Sequence, residues 1–216
     1  ARVRLPKEDT EIDARAYDDE KGEMGGFGGL AGKFEITIKI PHDGEVNRAR
    51  YCPHNSFVIA TKTVSSDVLI FDYTQHESNP TDLTCRPQIR CTGHDKEGYG
   101  LNWSPLMDGY LLSGADDAKV CMWDIKAGSG KNATLAPLAT FVGHTDVVED
   151  VAWHSHNKDI FGSVGDDKMF MLWDMRSATG KATNEVRAHA GEVNCLSFNP
   201  FSEYLVVTGG ADKVVC

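Results

Sequence analysis

The sequence has 216 residues, 41% of them apolar and 25% charged, with 22 basic against 32 acidic side chains for a net charge of −10. That balance suits a folded domain with a real core and argues against affinity arising from neutralised nucleic-acid phosphates; it favours a basic partner instead. No apolar run approaches the roughly 20 residues of a membrane span, and Ala1–Lys7 lacks the apolar core of a signal peptide.

From the N-terminus, Glu8–Asp13 and Asp18–Glu20 read as solvated acidic loops. Gly26-Phe27-Gly28-Gly29-Leu30-Ala31 fits a dinucleotide pattern, but a true fingerprint follows a strand and opens a helix. Here an acidic loop precedes it and Phe34–Ile40 alternates as a strand, so the stretch reads as a connector. Gly32-Lys33 is followed by Phe34 where a phosphate loop needs Ser or Thr. No cofactor and no metal is expected.

The next segments repeat. Four histidines, His42, His94, His144 and His189, start units 52, 50 and 45 residues apart. Nine residues after each stands an aromatic: Tyr51, Trp103, Trp153 and Phe198. Thr61, Ser113, Ser163 and Thr208 follow 19 residues after the histidine, and Asp117, Asp167 and Asp212 stand 23 after it, with Ser65 in the first unit. Phe71-Asp72, Trp123-Asp124 and Trp173-Asp174 close the first three units. Val68–Phe71, Val120–Trp123 and Met169–Trp173 are short apolar runs rich in strand formers, each preceded by turn residues, and no segment shows a sustained helical period.

Fixed internal spacing with variable connectors marks a repeated supersecondary unit. Short strands every 45–52 residues, with Gly-His and Trp-Asp, resemble the WD-repeat pattern of four-stranded propeller blades. The fold class expected is therefore all-β, a WD-repeat β-propeller of which about four blades are present. The divisions expected are 1–41 (partial blade and glycine-rich connector), 42–92, 93–142, 143–187 and 188–216, the last a truncated unit. Within a blade, His94, Ser113, Asp117 and Trp123, and likewise His144, Ser163, Asp167 and Trp173, are expected to form one polar relay from Asp through His and Ser to the indole. That reading accounts for the recurring His and Asp better than metal binding or catalysis. The six cysteines form no C-x-x-C pair, and Cys121, Cys195 and Cys216 are expected as buried free thiols of a reducing compartment.

The strings Glu45–Tyr51, Lys96–Leu101, Val147–His154, Glu192–Pro200, Ser65–Tyr73 and Glu20–Gly28 together resemble the retinoblastoma-binding, Msi-type histone-binding WD-repeat family. The resemblance spans essentially the whole chain and is loosest at Asn79–Pro87 and Lys126–Pro137. It implies a seven-bladed, nuclear, non-catalytic subunit shared by chromatin assembly, acetyltransferase, deacetylase, remodelling and Polycomb complexes. Its partners would be core histones and basic motifs of chromatin cofactors, with no sequence-specific nucleic acid and no membrane. A generic WD-repeat adaptor, such as a ubiquitin-ligase substrate receptor, is the alternative.

The spacing also locates a site. Residues three and five after each histidine open the first strand of the unit, and the residue before the turn Asp reaches the same rim. Glu45, Glu97, Asp116, Glu149, Asp166 and Glu192 are expected to converge there, with Asn47, Tyr99 and Asn194 interleaved and no lysine at these positions. Converging carboxylates call for a cation, which an Arg/Lys-rich peptide supplies. The resemblance assigns peptide binding to Glu45, Asn47, Arg48, Glu97, Tyr99, Glu149, Asp166 and Asn194; Arg48 is the exception in sign, facing either a neighbouring acid or a ligand carbonyl. Seven blades need roughly 350 residues, so the sequence is expected to be part of a longer propeller, marginal on its own and prone to associate.

Overall fold

A computed structural model describes residues 2–3, 17–18, 23–24, 34–128, 132–177 and 180–216. The chain divides into a smaller unit, residues 1–40 with 76–82, and a larger one, residues 41–75 with 83–216. In the smaller unit β1 (Arg2–Val3) pairs antiparallel with β4 (Phe34–Glu35), and β2 (Tyr17–Asp18) with β3 (Glu23–Met24). The strand expected over Phe34–Ile40 ends at Glu35. Alternation sets faces but does not supply a pairing partner; Ile36 is exposed, and the Lys39 N–H makes a single 3.2 Å bond to the Ser78 carbonyl. The glycine-rich stretch 25–33 and the acidic run Glu8–Asp13 lie outside the described residues.

The larger unit is all-β and built as consecutive propeller blades. The first blade is β5 (Val46–Cys52), β6 (Asn55–Thr63), β7 (Val68–Asp72) and β8 (Ile89–Cys91), each antiparallel to the last. The second starts with β9 (Leu101–Trp103), β10 (Tyr110–Gly114) and β11 (Lys119–Asp124). Its connector supplies β12 (Ala133–Leu135), which lies parallel to β8 of the first blade, before β13 (Ala139–Val142) completes the second. The third is β14 (Val148–Trp153), β15 (Ile160–Gly165), β16 (Met169–Asp174) and β17 (Asn184–Arg187). In the fourth, β18 (Val193–Phe198) pairs with β19 (Val206–Gly210), and Val215 bridges to Gly209.

Period-two alternation explains why the strands read as unbroken apolar runs: both faces of an inner sheet are covered. Cys121 and Trp123 join Val68 and Ile70 in the layer between the first two blades. Their neighbours Val120 and Met122 face the other way, into the layer that holds Val148, Phe161 and Trp173. A smaller layer, Val164, Val193 and Leu196, joins the last two blades. The outer face of the fourth blade has no sheet over it among the described residues, so Cys195 and Cys216 are exposed rather than buried as the sequence suggests. Cys91 and Cys121 are buried, and burial pushes their thiols up to about 12 and about 11.

The polar relay is complete in the third blade. His144 Nδ1–H donates to Asp167 Oδ2 at 2.8 Å, His144 Nε2 accepts from the Ser163 hydroxyl at 2.7 Å, and Ser163 Oγ accepts from Trp173 Nε1 at 2.8 Å. Because Ser163 Oγ already accepts from the indole, its own hydrogen is directed to His144 Nε2, which places the imidazole proton on Nδ1 toward Asp167. The expected relay is broken in the second blade. His94 meets Asp117 at 3.1 Å, but its Nε2 faces the Ser113 main-chain oxygen, Trp123 Nε1 donates to the Thr92 carbonyl, and the buried Ser113 hydroxyl has no partner among the described residues. The carbonyls of Thr92 and Ser113 compete successfully for the two ring N–H groups. In the first blade His42 reaches Thr61 Oγ1 at 2.8 Å and turns its other nitrogen to the Asp43 carbonyl, because Ser65 stands where the acid would be. His189 links Asp212 and Thr208 in the fourth.

Each turn Asp does more than meet its histidine. Asp117, Asp167 and Asp212 also accept the N–H after the histidine (Asp95, Thr145, Ala190) and the N–H two residues on (Lys119, Met169, Val214). The residue between, Ala118, Lys168 or Lys213, has φ of 61°, 72° or 67°. The Gly-His pair has two causes. Gly93 sits at φ +130°, which an L side chain rarely adopts, whereas a Cβ on Gly143 would meet the Trp173 ring at 2.9 Å.

Candidate functional site

One hydrogen bond per blade builds the rim. The main-chain oxygen three residues after the histidine accepts the N–H preceding the turn Asp (Ser65 in the first blade): Glu45 from Val64, Glu97 from Asp116, Val147 from Asp166, and Glu192 from Ala211. This closure brings the start of the innermost strand and the β-turn to the same end of every blade. Glu97 and Asp116 therefore stand together on the second blade, and Glu149 with Asp166 on the third.

The second, third and fourth blades then bring their acids within electrostatic reach. Burial raises the pKa of Asp116, and the Glu97 charge adds to it. Burial also raises Glu149, with Asp166, Asp116 and Glu192 adding their charge. Asp166 is raised by burial and then by Glu192 and Asp146. Glu149 and Asp166 act on each other at close range, and Asp166 Oδ1 is buried with no hydrogen-bond partner among the described residues. Clustered carboxylates that desolvate and repel one another are stabilised by an incoming cation.

The remaining expected residues divide. Asn47 bridges the first two blades, its Nδ2 donating to Glu97 Oε2 at 3.0 Å and to the Gly98 carbonyl at 3.2 Å. Tyr99, next to Gly98 in the chain, is 46% exposed. Glu45, Glu192 and Asn194 are exposed, with Glu192 acting on Asp166 and Glu149. Arg48 is not among the rim acids. It lines a cavity of about 390 Å³ between the innermost strands, with Arg50 and Asp150.

Several residues were invisible in the repeat pattern. Asp146 joins the acids around Asp166. Although lysine is absent from the rim positions themselves, Lys96 and Lys62 both act on Asp116. Lys62 is fully buried, donates to the Ser66 carbonyl at 3.3 Å, and is lowered by burial to about 8 against the pull of Asp117, Asp67 and Asp116. Asp150 and Arg48 share the sixth position after their histidines, a periodicity that could have marked the cavity.

Adjacent blades are joined near the site by indoles. Trp103 Nε1 donates to the Arg50 carbonyl at 3.0 Å and Trp153 Nε1 to the Asn102 carbonyl at 3.2 Å. Phe198 has no N–H to continue the series; Asp150 Oδ2 instead accepts from Leu196 N at 3.2 Å. The rim is thus carried on innermost strands hydrogen-bonded to one another, a rigid support for a binding surface.

The family described as WD domain, G-beta repeat, matches residues 135–174, from the end of β12 through β13 of the second blade to β16 of the third, and residues 180–216, from β17 through the fourth, so the blades it covers in full are the third and the fourth. These are the blades in which the His–Asp pair also reaches a Ser or Thr hydroxyl.

Proposed function

We propose that this WD-repeat protein is a non-catalytic binding subunit that takes a basic, extended peptide across its acidic rim. The observation that carries the reading is the grouping of Asp116, Glu149 and Asp166, all desolvated and mutually repelling, with Asp166 Oδ1 buried and unpartnered among the described residues. Asn47 and Tyr99 flank the group with a hydrogen-bonding amide and a half-exposed aromatic ring for a cationic stem. The strings shared with histone-binding WD-repeat proteins favour a core-histone tail as the peptide, in a nuclear chromatin complex. On this reading, chromatin enzymes bound to the subunit perform the chemistry.

The experiment is a titration of a basic histone-tail peptide against the protein and its Glu97→Gln/Glu149→Gln double variant. Affinity is expected to fall in the variant and to weaken with added salt. Unchanged affinity at physiological salt would falsify the acidic-rim reading. Purification from nuclear extract with ligase subunits and no histones would overturn the chromatin assignment.

A further inference from the structure

We infer that the cleft beside the rim takes an oxyanion, a carboxylate or phosphate group carried by the same peptide, between Arg48 and Arg50. The inference rests on the rim reading for the identity of the peptide, but the anion site itself does not.

Arg48 and Arg50 alternate along β5 and so share one face, on which Arg48 stands directly opposite the buried Lys62 of β6. Both arginines line the 390 Å³ cavity. Arg48 has no hydrogen bond or ion pair among the described residues. The Arg50 guanidinium bonds to the carbonyl of Ala49 on its own strand. Asp150 is the one acidic side chain lining the cavity, and its Oδ2 is already committed to the Leu196 N–H. Two guanidinium groups therefore face one partly engaged carboxyl.

The electrostatics agree. Burial, and then the charge of Arg48, work against the charged form of Arg50. Burial likewise raises Asp150, which weakens it as a counter-charge. An oxyanion relieves the repulsion and accepts paired N–H bonds from a guanidinium, a geometry that favours carboxylate and phosphate over other acceptors. Trp103 and Trp153 also line the cavity, and the Trp103 indole is held beside Arg50 by its bond to the Arg50 carbonyl. Arg48 directly follows the bulged rim residue Asn47 on β5, so the cleft opens next to the rim and runs from there along the innermost strands toward Pro53, Pro105 and Ser155, where a side chain of a rim-bound peptide enters it. The recognised class is therefore a peptide with an acidic or phosphorylated residue beside its basic cluster.

Two measurements test this. In the first, arginine Nε–H resonances of the whole chain are followed by NMR during titration with inorganic phosphate and, separately, acetate, with Arg48→Gln and Arg50→Gln giving the assignments. Saturable shifts at both arginines are expected; phosphate alone saturating identifies a phosphoryl group, and acetate saturating as well identifies a carboxylate. Uniform, unsaturated drift of all arginines overturns the inference. In the second, a basic peptide is compared with versions carrying one glutamate or one phosphoserine. The favoured acid-bearing version is expected to bind about tenfold tighter, with that ratio falling to about one in Arg50→Met. Equal affinity of all three peptides for the unaltered protein overturns it too. If none of the peptides binds, the rim reading fails and the anion titration still decides the cleft.

Discussion

Trp173 Nε1 donates to Ser163 Oγ at 2.8 Å, while the equivalent Trp123 passes its Ser113 by and donates to the Thr92 carbonyl. One sequence pattern thus serves two hydrogen-bond arrangements in adjacent blades. Ser163→Ala removes the acceptor of one buried donor and the donor to His144 Nε2, so it is expected to cost about 2–3 kcal/mol. Ser113→Ala removes a hydroxyl that pairs with nothing among the described residues and is expected to cost less than about 1 kcal/mol. Urea unfolding of the two variants checks the difference, and equal losses would show that Ser113 also relays.

Asp117 gives a pH dependence with a defined sign. Burial works upward on its carboxyl, but the bonds from His94, Asp95 N–H and Lys119 N–H together hold it at about 2. A folded-state pKa below the unfolded value of about 3.9 means that the unfolded chain binds more protons in between, so stability falls as pH falls. The contribution, about 2 kcal/mol, is full above pH ~5 and is lost as pH drops through about 2. Asp117→Asn is expected to lower stability at neutral pH and to flatten its acid limb, measured by thermal melts from pH 7 to pH 2.

The histidine-to-aspartate and histidine-to-hydroxyl intervals were readable because both ends of each bond lie within one hairpin system of constant strand length. The rim followed for the same reason: Glu97 with Asp116, and Asp166 near Glu149, are placed by bonds internal to a blade. Contacts between blades had no such signature. Nothing in the spacing says that Lys62 lies under Asp116, that Asn47 is held by Glu97, or that Arg48 turns into the cleft with Arg50. Ser113 shows the other limit, since a neighbouring carbonyl outcompeted the side chain that the pattern nominated.

Glu149 carries the opposite sign from Asp117. Its pKa is raised, first by burial and then by Asp166, Asp116 and Glu192, so the folded state holds protons that the unfolded state has released. Stability therefore falls as pH rises through that raised pKa. Glu149→Gln removes a repelling charge; the melting temperature at neutral pH is expected to rise while affinity for a basic peptide falls severalfold. A variant that loses both stability and affinity would mark Glu149 as structural.

The residue after the aromatic at the end of the innermost strand caps a turn in three blades, and each uses different chemistry. Ser104 Oγ accepts from Leu106 and Met107 N–H, Asn199 Oδ1 from Phe201 and Ser202 N–H, and His154 Nδ1 from His156 and Asn157 N–H. His154 alone of the three has a second ring atom to use, and its Nε2–H reaches the Glu203 carbonyl of the fourth blade at 2.9 Å. His154→Asn is expected to keep the turn and lose the link between blades, at about 1 kcal/mol; His154→Ala loses both, at about 2 kcal/mol. Hydrogen exchange of β18 and β19, faster in both variants, reports the link separately from the turn.

The parallel pairing of β12 with β8 reaches beyond its own blade. A connector that varies in length has been recruited to extend its neighbour to five strands, so the free row of N–H and C=O groups on that flank is carried by β12, a strand of only three residues. The last strands of the second and third blades, β13 and β17, end their sheets without such an extension. Edge-to-edge templating between copies, the common route from a β protein to an aggregate, therefore meets a shorter strand on the first blade than the four-residue edges β13 and β17 of the second and third.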